Sequence, residues 1–172
     1  MIRNKSAGFS LLEVLITILL TAIGILGMVA MQGKAIQYTQ DSVERTYAAM
    51  LANELLEIIR ATPDSLDSSN DSPFFNSLPS ASAETCIEVD NQIMQRQLGC
   101  WAAKARQLLP GAESLGDLFV ACVSSEPGVC NDNGSAVEIR MAWNASGEGC
   151  LDANNADGLD SARCTLTFRS QI

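Results

Sequence analysis

The sequence predicts an α+β protein in which one long N-terminal helix packs on a small antiparallel β-sheet stabilised by disulfides. Three features of the 172 residues lead to this prediction. A run without proline extends from Phe9 to Arg60 and carries helical apolar spacing in its second half. Short segments with the alternation of strands lie in the last third. Six cysteines, an even number, follow residue 85.

The first half of the predicted helix is apolar on all sides. No charged residue occurs from Val14 to Met31, and about 1.5 Å per residue makes this segment long enough to cross most of a bilayer. Glu13, directly before it, is the only ionisable side chain between Ser6 and Met31. Because an acid inside a membrane helix costs roughly 2.5–3.5 kcal/mol, we expect Glu13 to have a partner. The alternative is that Glu13 lies at the level of the lipid headgroups in an ordinary signal anchor.

A short basic leader precedes the apolar segment. Arg3, Lys5 and the small pair Ala7-Gly8 come before the apolar core, whereas a secretory signal has its small-residue cleavage site after that core. Cleavage after Gly8 would therefore leave the helix on the protein. The basic residues favour a cytoplasmic N-terminus, with everything after Lys34 exported.

These residues carry a family resemblance. The segment Gly8-Phe9-Ser10-Leu11-Leu12-Glu13-Val14-Leu15 resembles the type III signal of type IV pilins and type II secretion pseudopilins. The resemblance implies the type IV pilin fold, cleavage by prepilin peptidase between Gly8 and Phe9, and N-methylation of Phe9. It makes Glu13 an assembly contact that meets the new amine of a neighbouring subunit. In the family a proline usually interrupts this helix; here Gly24, Gly27 and Gly33 would loosen it less.

Later segments resemble those of minor pilins, namely residues 22–34, 41–45, 98–102, 109–112, 124–128 and 137–143. This resemblance implies a subunit of the complex that primes pilus assembly and remains at the pilus tip with an adhesin, in support of twitching motility and adhesion. The implied partners are other minor pilins, the major pilin, the tip adhesin, the prepilin peptidase/methyltransferase and, before assembly, the inner membrane. The implied location is the inner membrane of a Gram-negative bacterium, with a periplasmic C-terminal domain, and later the cell surface. The alternative is minor pseudopilin I of a type II secretion system.

The boundaries that follow are a leader at 1–8, a membrane or filament-core half-helix at 9–35 and a periplasmic domain at 36–172. Within the domain we expect an amphipathic helix at 36–61, a loop at 62–88, a helix at 90–109 and the sheet at 117–172. The apolar stripe predicted for the first of these comprises Ile36, Val43, Tyr47, Met50, Leu51, Leu55, Ile58 and Ile59, with Asp41 and Glu44 among the residues between them. We expect Phe74-Phe75 to fasten the loop to the domain; an exposed partner contact is the less favoured reading.

Strands are predicted at 118–124, 136–143 and 165–169. In the second, Val137, Ile139, Met141 and Trp143 alternate with Glu138, Arg140 and Ala142. The alternation predicts one face on the core and one in water. The apolar residues that share a face with Trp143 are therefore predicted to belong to the core rather than to a ligand site.

The cysteines predict three disulfides formed in an oxidising periplasm. Sequence alone allows 15 pairings of Cys86, Cys100, Cys122, Cys130, Cys150 and Cys164. We favour the sequential set, in which Cys122 and Cys130 bracket a turn, Cys150 and Cys164 bracket a polar loop, and Cys86 and Cys100 remain.

Composition excludes several function classes. Without histidine, the usual triads and the His-containing zinc sites are missing, so no enzyme, metal site or cofactor is expected. The chain has 11 basic and 20 acidic side chains, which disfavours nucleic acid as a partner and a DNA-binding competence pilin as the function. The acidic segment Asp152–Asp160 suggests a calcium-binding loop. The alternate positions before Gly158 are Asp157, Asn155 and Ala153, so one oxygen ligand is missing and a solvated turn is favoured.

Overall fold

The computed structural model describes residues 10–61, 74–80, 93–131, 134–145, 150 and 163–171. Contacts between Cα atoms divide the chain into two units, Met1–Tyr38 and Thr39–Ile172. The α-helices are α1 (Leu11–Arg60) and α2 (Ile93–Leu108), and a 3₁₀ turn covers Gly116–Leu118. The strands are β1 (Val120–Ser124), β2 (Ala136–Asn144) and β3 (Arg163–Gln171). The predicted α+β fold, a long helix with a small antiparallel sheet, is confirmed.

The three strands form one antiparallel sheet in the order β1-β2-β3. In the register, β1 pairs Val120 with Arg140, and β3 pairs Arg163 with Asn144. The 3₁₀ turn occupies residue 118, which the sequence assigned to the first strand, so that strand begins two residues later.

The core of the second unit joins helices and sheet in a single apolar cluster. The last turns of α1 contribute Leu51, Leu55 and Ile59, and α2 contributes Trp101, all at 1% exposure or less. From the sheet come the four residues of the predicted inward face, Val137, Ile139, Met141 and Trp143. The prediction that Trp143 belongs to the core is confirmed, since it is wholly buried.

The buried face of α1 differs from the predicted stripe. Ile36, Val43, Tyr47 and Met50 of the predicted stripe are exposed, whereas Asp41 and Glu44 are buried. The buried positions are Asp41, Glu44, Ala48, Leu51, Ala52, Leu55, Leu56 and Ile59. They recur by three and four, so small and acidic residues continue the row that Leu51 and Leu55 define. The prediction was wrong because it assigned the large apolar residues to the buried face. Asp41 and Glu44 can be buried because both have polar or charged partners.

The second face of β2 is also covered, contrary to the prediction that it is wet. Glu138 and Ala142 are 1% and 0% exposed, and on that face only Arg140 and Asn144 reach solvent. Burial of Glu138 is possible because its carboxylate has two donors. The backbone N–H of Gly128 donates to Oε2 at 2.7 Å, and Arg140 Nη2 donates to Oε1 at 3.0 Å. This carboxylate therefore holds the turn between Cys122 and Cys130 against β2 through a hydrogen bond.

Phe75 fastens the segment before α2 to the sheet. It exchanges backbone hydrogen bonds with Ala121, at 3.0 and 2.8 Å, and its ring centroid lies 5.7 Å from that of Trp101. Phe74 and Phe75 are both half-buried against the core. The Phe pair therefore holds its segment on the domain, as the sequence suggested, and is not an exposed patch.

Candidate assembly segment

The candidate functional segment is the first half of α1, and it begins at Ser10. The Ser10 carbonyl accepts hydrogen bonds from the N–H groups of Glu13 at 3.0 Å and Val14 at 3.3 Å. These bonds form the first turn, in which Glu13 is the only acid. A carboxylate at this position interacts favourably with the positive end of the helix dipole.

Every side chain from Ser10 to Gln40 is exposed, although this part of the chain is mostly apolar. Leu11 is 88% exposed, and large aliphatic residues continue to Met31 at 76%. A water-soluble domain rarely presents so large an apolar surface without a covering partner. By length and composition this is one helix able to cross a membrane, a test that a signal sequence near the N-terminus would also pass.

The hydroxyl groups of this half-helix are satisfied within the helix. Thr17 Oγ1 donates to the Val14 carbonyl at 2.8 Å, and Thr21 Oγ1 donates to the Thr17 carbonyl at 2.9 Å. Both threonines can therefore enter hydrocarbon without an external partner. Glu13 differs, because none of the described residues donates a hydrogen bond to its carboxylate or forms an ion pair with it. It is the only charged side chain among the described residues from Ser10 to Met31, so in hydrocarbon it would need a partner from outside this stretch.

The three glycines do not interrupt the helix. α1 runs from Leu11 to Arg60 as uninterrupted α-helix through Gly24, Gly27 and Gly33. A Cβ atom at any of the three would meet no neighbour within 4 Å. The loosening that these residues suggested is absent from the helix.

Gly8 and Phe9, the predicted cleavage and methylation residues, lie outside the described residues. Their roles stay predictions that rest on the sequence. The same holds for the Asp152–Asp160 loop and its calcium reading. Among the described residues, no group of three Asp, Glu or Cys side chains is placed to hold a metal ion.

Two disulfides close loops in the domain. Cys122 and Cys130 are joined with their Cα atoms 5.6 Å apart, and Cys150 and Cys164 with theirs 5.4 Å apart. Both belong to the sequential set that the sequence analysis favoured. Cys100 is disulfide-bonded as well; Cys86, its predicted partner, lies outside the described residues.

The comparison with protein families adds the deciding observation. A model described as the prokaryotic N-terminal methylation motif matches residues 3–29, which contain Gly8, Phe9, Glu13 and most of the exposed apolar helix. The chain carries an N-terminal methylation motif. This motif is that of type IV pilins and pseudopilins, so it indicates a structural protein rather than an enzyme, and the apolar half of α1 fits membrane anchoring. No curated protein and no solved structure matches the chain.

The sequence was sufficient to predict the candidate segment at the start of α1, but it did not show which residues surround Glu138. The turn that donates to Glu138 comes from residues ten positions earlier, and Arg169 lies directly opposite it on β3. One local signal existed, since Glu138 and Arg140 are two apart on a strand and therefore share a face.

Proposed function

We propose that this chain is a minor pilin of a type IV pilus, similar to the minor pilin PilV. In this proposal prepilin peptidase cleaves between Gly8 and Phe9, and Phe9 is N-methylated. The subunit joins other minor pilins in the inner membrane, primes pilus growth with the major pilin, and remains at the tip, where the complex presents an adhesin. Twitching motility and adhesion then depend on it, with the disulfide-bonded domain first in the periplasm and later at the cell surface.

One observation carries the proposal: an exposed apolar half-helix with a single carboxylate in its first turn, inside a matched methylation motif. Cleavage after Gly8 would place a new ammonium group four residues before Glu13. Two unit charges 4 Å apart attract each other by about 4 kcal/mol at an effective dielectric constant of about 20. That attraction is of the same size as the roughly 2.5–3.5 kcal/mol cost of placing an acid in the membrane, so the pair offsets much of the penalty that either charge would carry alone.

The charge pair gives the carboxylate a selective role. A subunit whose Glu13 meets a neighbour's ammonium in hydrocarbon is stabilised, whereas a subunit without that partner keeps an uncompensated charge. The pair would therefore both favour entry into the bundle of apolar helices and fix the register of the incoming helix. A role limited to the helix dipole is weaker, because a carboxylate in a first turn contributes only about 0.3–1 kcal/mol.

The narrower assignment to a minor pilin rests on different residues. Six segments resemble minor pilins, and they extend from the apolar helix to Trp143 in β2. Minor pseudopilin I of a type II secretion system is the alternative, because pseudopilins share the matched motif. Deletion of the gene separates the two functions: loss of twitching with normal protein secretion supports the pilus, and the reverse result supports the secretion system.

The assembly role is tested by Glu13→Gln and Glu13→Ala in the full chain. Thr17→Val is the matched control, since Thr17 is one turn further along the same face and its hydroxyl is bonded within the helix. Processing, N-methylation and the number of pili are measured for each variant. We expect processed and methylated protein in all three, a fall in piliation of at least tenfold for both Glu13 variants, and normal piliation for Thr17→Val.

Two results would count against the role of Glu13. Normal piliation by processed Glu13→Gln would show that the carboxylate is not needed for priming. Equal losses for Glu13→Gln and Thr17→Val would point to general damage of the helix. The partners are tested separately, by co-purifying the full chain in detergent with the other minor pilins and the adhesin, with the major pilin as a further bait.

A further inference from the structure

The charged side chains of the first half of α1 are spaced by the thickness of a bilayer. Lys34 is the next charged residue after Glu13 and lies 21 positions further along the chain. Because α1 continues between them without interruption, this spacing corresponds to about 32 Å along the helix axis at about 1.5 Å per residue. The hydrocarbon core of a typical bilayer is about 30 Å thick. One position of the helix therefore leaves both charges at the edges of the hydrocarbon, on opposite sides.

The Lys34 end has the composition of a membrane interface. Lys34 is exposed, and Tyr38, which follows it by one helical turn on the same face, is 57% exposed. Tyrosine is enriched at the level of the lipid headgroups because its ring is apolar and its hydroxyl is polar. A lysine side chain can extend along the helix and place its ammonium group at the same level. The apolar surface of the half-helix therefore ends at a pair of residues suited to headgroups.

The exposure of the half-helix on all sides favours lipid over a single partner helix. Ile18, Leu19 and Leu20 point in directions about 100° apart and are 63%, 55% and 60% exposed. One neighbouring helix would cover a single stripe of this surface, whereas lipid chains cover all of it. Between Glu13 and Lys34 no charged side chain interrupts the surface that the lipid would meet.

We propose that before assembly the phospholipid bilayer covers this half-helix at one defined depth, with Lys34 and Tyr38 among the periplasmic headgroups and Glu13 at the cytoplasmic edge of the hydrocarbon. At that depth the Glu13 carboxylate reaches water, so the unassembled subunit avoids the cost of an acid in hydrocarbon. A partner for Glu13 becomes necessary only when the helix moves outward into a bundle. The inference rests on the membrane stage of the proposed function, and it adds the depth of the helix and the residues that set this depth.

The depth is measured with the full chain reconstituted in vesicles of phosphatidylethanolamine and phosphatidylglycerol. Leu12→Cys, Ile23→Cys and Ile36→Cys are labelled one at a time with a small fluorophore, without reductant, so that the native disulfides stay closed. Quenching by lipids that carry a nitroxide at a shallow or a deep carbon gives the distance of each label from the bilayer centre. We expect the label at residue 23, midway between Glu13 and Lys34, within about 3 Å of the centre, and those at residues 12 and 36 about 17 and 19 Å from it.

Removal of the two interfacial residues tests what sets the depth. In Lys34→Leu/Tyr38→Leu the uncharged run extends to Gln40, because Asp41 is the next charged residue. The centre of the run then lies about 3.5 residues later, so the label at residue 23 should move about 4–5 Å away from the bilayer centre. Gln37→Leu is the control, because it makes the same turn more apolar but keeps the ammonium group and the ring. It should shift the label by less than about 2 Å.

Three results would overturn the proposal. A label at residue 12 within the hydrocarbon core would show that Glu13 lies inside the membrane before assembly. An unchanged depth in Lys34→Leu/Tyr38→Leu would show that these residues do not anchor the helix. An equal shift in Gln37→Leu would assign the depth to apolarity alone.

Failure of this inference and failure of the proposed function can be told apart. The vesicles contain no other pilus component, so the measured depths do not depend on assembly. Normal piliation by processed Glu13→Gln would refute the assembly role of Glu13 and leave the depths as expected. A wrong depth, together with the expected loss of piliation, would refute only the anchoring by Lys34 and Tyr38.

Discussion

Replacement of Glu138 is the most informative test of how the domain is held together, because its carboxylate is 1% exposed and joins two parts of the chain. Glu138→Ala removes both hydrogen bonds, to the Gly128 N–H at 2.7 Å and to Arg140 Nη2 at 3.0 Å. Bonds to charged groups are worth about 1.5–3 kcal/mol each. The lower value applies, since Gly128 is exposed and the Arg140 side chain is 30% exposed, so both donors can reach water.

The expected loss is therefore about 3 kcal/mol in the free energy of unfolding. At roughly 2–4 °C per kcal/mol, the melting temperature should fall by about 6–12 °C. Glu138→Gln should lose about half as much, because its amide oxygen can still accept from Gly128 while its NH₂ group cannot accept from Arg140. Glu113→Ala, an exposed acid elsewhere in the domain, should stay within about 0.5 kcal/mol of the parent.

Denaturant unfolding followed by circular dichroism measures these differences, and amide hydrogen exchange shows whether they are local. Exchange at Gly128 should accelerate in Glu138→Ala, while exchange in α2 changes only with global stability. A Glu138→Ala protein as stable as Glu113→Ala would refute the reasoning, as would unchanged exchange at Gly128. Either result would mean that the turn is held in place by its other contacts, which are the Cys122–Cys130 disulfide and the hydrogen bonds to the Glu126 carbonyl.

Two further predictions concern the core and the disulfides. Trp101→Phe should destabilise the protein by about 1–2 kcal/mol more than Trp143→Phe, because Trp101 Nε1 donates to the Leu51 carbonyl at 2.9 Å whereas Trp143 Nε1 is buried without a hydrogen bond; equal losses in denaturant unfolding would contradict this assignment. Replacing Cys122 and Cys130 together by Ser should cost about 2.5 kcal/mol, and Cys150 with Cys164 about 3 kcal/mol, by the dependence of chain entropy on the size of the closed loop. Midpoints measured without reductant test the order, and a larger loss for the shorter loop would show that loop entropy does not dominate.

The candidate assembly segment could be predicted from the sequence because the residues that identify it are close together in the chain. A basic leader, Gly8-Phe9 and one acid before an uncharged run are consecutive, and they need no tertiary contact to be recognised. The helix itself follows from the absence of proline up to Arg60. The strands could be predicted for a similar reason. Apolar and polar residues alternate along eight consecutive residues of β2, and this pattern indicates a face that packs on the core.

Tertiary structure decided which faces are buried and which residues meet. Helical spacing on α1 allows two different rows of residues to face the core. Packing buries the row that contains Asp41 and Glu44, and the row that contains Val43 and Tyr47 is exposed. Glu138 is buried because a turn closed by the Cys122–Cys130 disulfide brings the Gly128 N–H to it, a contact between segments that no periodicity encodes. The same register places Arg169 opposite Glu138 and leaves β3 at the edge. The sequence therefore determined the exposed apolar segment that fits membrane anchoring, because its pattern lies within one continuous stretch of residues. The burial of individual polar groups in the domain depended on partners that only folding brings within hydrogen-bond distance.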